Sequence, residues 1–389
     1  MFYVYIYDDI RHKLLNFINL ILTFEDMKLY FLLLISLGFF SAKPKYAPPH
    51  KYLYVAVPGI RNYIEYGGHG LLVFDTEKGH KCIKRIKTQG LAPDGKPSNV
   101  KGMDVSLATN CVYISTVHNI QCIDLKTEQV VWEKQIEKGC DRLSISPDGL
   151  EIYLPSFEKE DWYILDARTG DIKKTISPDI RAHNTIYGMN GKEVYLEGLK
   201  SNNLVVVNAQ NQTISHTVGP FQNVIRPFTI NGSQTRVYVN INDFIGFEIG
   251  DLTTRQKIKS YEVKGYSKGT VKRHGCPSHG IAMSPDEKEI WVADAYNQML
   301  HVFELNGDEA TQKMSIAVRD QPGWITFSAD GKYVYPSTGE VIDAKSKKIL
   351  MILHDEHGIP VQSEKMVEID MNKGVAVSAG DQFGMGGIR

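Results

Sequence analysis

One phrase, an aromatic-led apolar run, a polar gap and a second run closed by an acid or its amide, is written seven times along this chain. Aligned on the aromatic, the copies read "YVAV" from Tyr54, "YIST" from Tyr113, "YLPS" from Tyr153, "YLEG" from Tyr195, "YVNI" from Tyr238, "WVAD" from Trp291 and "YPST" from Tyr335. The closing positions are Asp75, Asp124, Asp166, Asn208, Glu248, Glu304 and Asp343. Spacings cluster near about 40 residues, a period that marks repeat architectures and overrides any reading of single elements.

Within each unit, short runs rich in Val, Ile and Tyr alternate with turns such as "SPDG", "SPDE", "SADG" and "NGK". That pattern predicts four antiparallel strands per unit. A lone sheet of this size cannot cover both of its faces, so neighbouring units must pack face to face. Arranged radially, the units form an all-β, seven-bladed β-propeller. The first unit opens at "HKYLYVAV", which matches a second strand, and so lacks its innermost strand. "EKMVEIDMNKG", residues 364–374, reads as an innermost strand with nothing after it. Joined to the first unit, this segment would close the ring and leave no exposed edge.

The phrases "HGIAMSPDEKEIWVAD" and "WITFSADGKYVYPST" resemble the YVTN-repeat β-propellers, an exported bacterial group related to the lactonase-like seven-bladed folds. The resemblance spans residues 51–370. It implies the fold and leaves activity open, because such propellers host binders, structural proteins and enzymes. The first, fourth and fifth units depart from the SPDG turn.

The N-terminal region divides before the repeats begin. "MKLYFLLLISLGFFSAKPK" starts at Met27 with one Lys, an apolar run and small residues at Ser36, Gly38, Ser41 and Ala42, the layout of a secretory signal peptide. Residues 1–26 are read as an over-extended or disordered segment, 27–42 as the signal peptide, and 43–389 as a single propeller domain. The mature chain is then periplasmic or secreted and carries no stable membrane span. A retained hydrophobic anchor over residues 1–40 is the alternative. A formal charge of −1 excludes a global field for nucleic acid, so no nucleic-acid partner is expected. The five cysteines, Cys82, Cys111, Cys122, Cys140 and Cys276, lack CxxC spacing and read as small buried residues.

In a radial fold, equivalent positions converge although they are far apart in sequence. The residues leading into the innermost strands are Lys101, Asp141, His183, Arg226, His279, Gly323 and Glu364, followed by Gly102, Arg142, Asn184, Pro227, Gly280, Trp324 and Lys365. The predicted channel mouth is therefore charged. Arg142, His183, Arg226 and His279 suit a small polar or anionic ligand, and Trp324 offers a stacking face. Lys101, Asp141, Glu364 and Lys365 complete the candidate set. The competing view is a self-neutralising plug in which Asp141 and Glu364 offset Lys101 and Arg226.

No cofactor is expected. "RHGCPSHG" does supply His274, Cys276 and His279, soft or borderline ligands that a metal ion would use, but the spacing fits no standard site. "HDEHG" lacks metalloprotease spacing, "GGHG" and "GMGG" precede no helix, and Glu158, Glu160 and Asp161 read as a solvated turn. The chain is thus expected to be a monomeric binding or scaffold module, with a ligand at the mouth or a protein partner across one face near the 264–275 loop. A lactonase-like or metal-assisted hydrolase using the mouth histidines is the alternative.

Overall fold

The computed structural model describes residues 48–387. The proposed leader segments therefore lie outside the described residues. Among the described residues there are seven sheets, six of four strands and one of five. Their inner strands are Met366–Asn372 in blade 1, Val100–Ser106 in blade 2, Ser144–Ile145 in blade 3, Ala182–Tyr187 in blade 4, Ile225–Ile230 in blade 5, Ile281–Met283 in blade 6 and Ile325–Phe327 in blade 7. Every repeat aromatic lies buried in a second strand.

Packing explains the repeat. Among the described residues seven buried hydrophobic clusters lie between neighbouring blades, including one that joins blade 7 to blade 1; the cluster of blades 4 and 5 also takes in Trp324, Phe383 and Met385. The middle strands are covered on both faces, as in Gly70–Asp75, where every residue is buried. Outermost strands alternate with solvent, as Gln256–Glu262 does. Apolar contact between blades is the dominant cohesive term, and it acts equally around the circle.

Blade 1 is completed from both ends of the propeller. Met366–Asn372 pairs antiparallel with His50–Val57, setting Val367 opposite Tyr54 and Ile369 opposite Tyr52. The expectation that nothing follows this strand is corrected. After a turn at Lys373 and Gly374, Val375–Ala379 pairs back onto Met366–Asn372 as a fifth strand.

The closing acids are also corrected in two blades. Asp75, Asp124, Asp166, Asn208 and Asp343 accept hydrogen bonds from turn amides two or three residues on. In blade 5 that role falls to Asp251, which accepts from the amides of Thr253 and Thr254. Glu248 instead lies buried within the strand, paired with Lys257 at 2.8 Å. In blade 6 the strand runs on to Asn306, and Glu304 pairs with Lys313 at 2.6 Å. The alignment fixed the phase of each strand without fixing its end.

Past Ala379 the chain crosses the end of the channel where the inner strands finish. The Met103 amide donates to Gln382 Oε1 at 3.0 Å, and Gln382 Nε2 donates to the Leu143 carbonyl at 3.1 Å. The Gly384 carbonyl accepts from Thr229 Oγ1 at 2.7 Å and from the Met283 amide at 2.8 Å. Trp324 Nε1 donates to the Gln382 carbonyl. Phe383 and Met385 are buried among blades 4 and 5. Gly384 has φ +58°, and a Cβ there would stand 2.3 Å from Ala282 Cβ, so only glycine lets the tail lie this close. "GMGG" is thus a stopper that touches the strands themselves.

Candidate functional site

At the opposite end the inner strands begin, and in three blades they begin with a bulge. Pairing passes from Val100 to Gly102, from Ala182 to Asn184 and from Ile225 to Phe228, so Lys101, His183 and Arg226 fall at the irregular positions. A bulge re-aims its side chain, and here all three line one cavity of about 360 Å³. Close approach of neighbouring blades tightens the ring. A Cβ on Gly102 would lie 2.9 Å from Arg142 Cα, and one on Gly280 would lie 2.8 Å from Trp324 Cα.

Arg142 is the hub of the cavity wall. It donates to Glu364 Oε2 at 2.6 Å and to His183 Nε2 at 3.3 Å, and its guanidinium lies 4.2 Å from the centre of the Trp324 ring. Arginine can only donate, so His183 Nε2 must accept and the ring proton sits on Nδ1. From there it is given to Glu197 Oε2 at 2.8 Å. By the same reasoning His279 carries its proton on Nδ1, which donates to the Gly323 carbonyl at 3.1 Å and leaves Nε2 as the lone-pair nitrogen. His274 Nδ1 lies 3.2 Å from Glu364 Oε1. Lys365 Nζ donates to Glu364 Oε2 at 2.7 Å and to the Gly59 carbonyl at 3.2 Å.

Burial sets the protonation of these groups. It drives His183 and His279 well below the ordinary histidine value, with Arg142 and His274 among the charges that add to the effect. Burial alone would raise Glu364, but Lys365, Arg142 and His274 outweigh it and hold the carboxyl well below the usual range. Lys365 is pushed down to about 7 by burial, against the pull of Glu364. Glu197, fully buried, is pushed up to about 8. Burial likewise raises Asp141 despite Lys101 at 3.4 Å.

Charge at this mouth does not cancel. Seven cationic side chains line the cavity (Arg61, Lys101, Arg142, Arg181, Arg226, Arg273 and Lys365) against two carboxylates, Glu158 and Glu364. Adding Asp141, Glu197 and Asp320, which stand behind the wall, raises the acids to five and still leaves a cationic surplus. Among the described residues Arg226 has no carboxylate within ion-pairing distance; it donates to Asn242 Oδ1 at 2.6 Å and to the Gly275 carbonyl at 3.1 Å. Several buried polar atoms have no protein partner, including Asn99 Oδ1, Arg142 Nε, both side-chain ends of Asn184, Glu197 Oε1 and His274 Nε2. Such atoms are rare in folded proteins, and those named here border or back the one cavity.

The candidates named from sequence are sorted by this geometry. Lys101, Arg142, His183, Arg226, His279, Glu364 and Lys365 line the cavity together. Asp141 is fully buried behind Lys101 and Arg142. Trp324 is buried as well, and its ring face is already covered by Arg142, so it acts as a floor under the guanidinium. Cys276 donates to the Ser278 carbonyl at 3.0 Å and stays outside the His274–His279 pair, whose rings stack at 4.9 Å. Its place beside them is taken by Glu364. The turn carrying Glu158 is not wholly solvated: Glu158 lines the rim and binds Arg181, while Glu160 and Asp161 pair with Lys200 and Lys138. The "HDEHG" segment lies elsewhere, in a turn tied to Arg85.

Glu197 and Arg273 were missed. Glu197 was visible as the one acid at a repeat position that holds Ala, Ser, Pro or Asn in the other units. Arg273 sits in the non-repeating 264–275 loop, held by Tyr66, Gln362 and Asp320, and no alignment of units reaches it.

No protein-family description and no curated protein matches the sequence. Solved structures do match in shape. The β-propeller domain of Myceliophteria thermophila Cps50 (Swd1) superposes with a TM-score of 0.57 at 12% identity, covering 72% of this chain and 95% of that one. Dihydro-heme d1 dehydrogenase NirN, in complex with DHE, gives 0.58 at 13% identity over 87% of this chain and 74% of its own. A chain of the mitotic checkpoint complex gives 0.59 at 10% identity over 76% and 90%. At such identities the likeness shows the propeller fold alone.

Proposed function

We propose that this propeller is an exported binding protein of the YVTN-repeat, lactonase-like group, holding a small anionic ligand of the carboxylate or phosphate class in its open channel mouth. The observation that carries the reading is the surplus of cations around one cavity, above all Arg226, which faces it without a carboxylate partner. Guanidinium groups pair carboxylates and phosphates through parallel N–H donors, and a walled cavity strengthens that pairing. The neutral histidines add directional contacts, His183 being fixed by Arg142 and Glu197. Export rests on the leader-like segment from Met27, and group membership on the quoted repeat phrases.

Calorimetric titration at low ionic strength tests the binding claim, with inorganic phosphate, citrate and a hexose phosphate as probes. One of them is expected to bind once per chain, to weaken as salt rises, and to lose at least about tenfold in affinity in Arg226→Ala. Failure of all three to bind, or equal binding to the variant, overturns the reading. N-terminal sequencing of protein recovered outside the cytoplasm tests export; a mature chain that still begins at Met1 or Met27 overturns it.

A further inference from the structure

We propose that His274, His279 and Glu364 form a site for one divalent transition-metal ion of the zinc class. The proposal goes beyond the anion reading and stands without it. Two distant segments supply the three residues: His274 and His279 both come from the connection between blades 5 and 6, and Glu364 from the lead-in to the closing strand. All three are buried, and one ligand atom from each lies within 4.8 Å of the others. Zinc bonds of about 2.0–2.2 Å in tetrahedral geometry put neighbouring ligand atoms roughly 3.3–3.6 Å apart, so the side chains must draw together by up to about 1.5 Å.

Three further observations point to a ligand. His279 gives its Nδ1 proton to the Gly323 carbonyl, the outer bond that commonly orients a metal-bound imidazole and frees Nε2. His274 Nε2 is buried without any protein partner. Gly323 supplies the room: a Cβ there would stand 2.0 Å from His274 Cε1 and 2.6 Å from Glu364 Oε1, so any other residue would push the ring and the carboxylate apart. Two imidazoles and one carboxylate are the donor set of open zinc sites and suit neither magnesium nor calcium, which prefer all-oxygen ligands. His183 stays outside the set, because Arg142 occupies its Nε2.

Arg142 and Lys365 are the forces opposing a dication here. Both approach Glu364 through Oε2, whereas Oε1 faces His274. The carboxylate therefore stands between the cations and the proposed ion.

The test uses tag-free mature protein, stripped with chelator, dialysed, and titrated with Zn²⁺ alone, with native mass spectrometry for stoichiometry. One ion per chain is expected, and at least about tenfold weaker binding in His274→Ala and in His279→Ala. Co²⁺ in place of zinc should give visible ligand-field bands that vanish in His279→Ala. His274 lies on a loop, so its variant is expected to keep the parent melting curve and reads the site even if His279→Ala fails to fold. Absence of stoichiometric zinc overturns the proposal, as does undiminished binding in His274→Ala, or loss in His183→Ala with retention in His274→Ala. Arg226→Ala is expected to bind zinc normally. Zinc binding without anion binding sinks only the anion reading, and the reverse pattern sinks only this one.

Discussion

Follow any inner strand from its start to its finish and its chemistry reverses. At the start, Lys101, Arg142, Arg226 and Lys365 border a cavity whose walls hold several unpartnered polar atoms. At the finish, Gln382 and Gly384 satisfy backbone groups of several blades while Phe383 and Met385 fill the bore. The same seven strands build both ends, so the difference comes from what is added: bulges and a polar loop at one end, a tail at the other. The closed end adds cohesion, and the open end holds like charges and desolvated groups together against their own preference. That opposition is expected where a site is kept for binding at some cost in stability. Trp324 divides the two regions, with Arg142 on its face and Gln382 at its ring nitrogen.

The largest effect should come from removing what both ends depend on. A chain ending at Ser363 loses the inner strand of blade 1 together with the stopper, and is expected to show no cooperative melting transition; a preserved Tm would refute ring closure. Next come single cuts at each end. Phe383→Ala should cost about 3–5 kcal/mol by urea denaturation, as for other buried aromatics. Arg142→Ala should cost a similar amount, because it leaves Glu364 and His183 buried without their shared donor. If Phe383→Ala proves neutral, the stopper is not cohesive and the contrast between the ends collapses.

A smaller effect follows from protonation. Glu197 is held up to about 8 when folded and titrates near 4.5 when exposed, so between those values the folded chain keeps a proton that the unfolded chain releases. The Glu197 contribution to stability should therefore fall as pH rises from 5 to 7, by up to about 1.4 kcal/mol per unit, while His183 and His279, lowered by burial, contribute a rise over the same window. Glu368, raised to about 7 by burial, slopes the same way. Lys365 slopes oppositely and only above about 7, where the folded chain gives up a proton that the unfolded chain keeps. Glu197→Gln should flatten the decline between pH 5 and 7, and equal slopes in parent and variant would show that Glu197 is ionised in the folded chain. The smallest change is expected in Arg226→Ala, within about 0.5 kcal/mol of the parent by urea denaturation, since its partners are neutral. A larger loss would make Arg226 a structural member of the ring.

Much of the fold was legible because a radial repeat turns sequence phase into position. Tyr54, Tyr113 and their counterparts occupy second strands because each unit solves the same packing problem, and Lys101, His183, Arg226 and Glu364 meet because they hold equivalent places around one axis. What stayed hidden breaks that symmetry. Arg273 rides on a loop with no counterpart in other blades. Residues 380–387 align with no unit, and their role depends on amides and carbonyls of distant strands, which leave no mark in side-chain pattern. Cys276 was grouped with its neighbours in sequence, yet a carboxylate from residue 364 stands beside the histidines instead. The end of the third strand in blade 5 slipped by three residues because either of two acids, Glu248 or Asp251, satisfied the pattern, and only the turn amides chose between them.

The pairing of Met366–Asn372 with His50–Val57 also orders events in time. While the polypeptide is being made, its earliest blade must wait as three strands with a bare flank until residues 366–372 have been added. Up to that moment the product is an arc with two sticky margins. A message cut short before the codon for residue 366 would release that arc permanently, and such a fragment is raw material for aggregation.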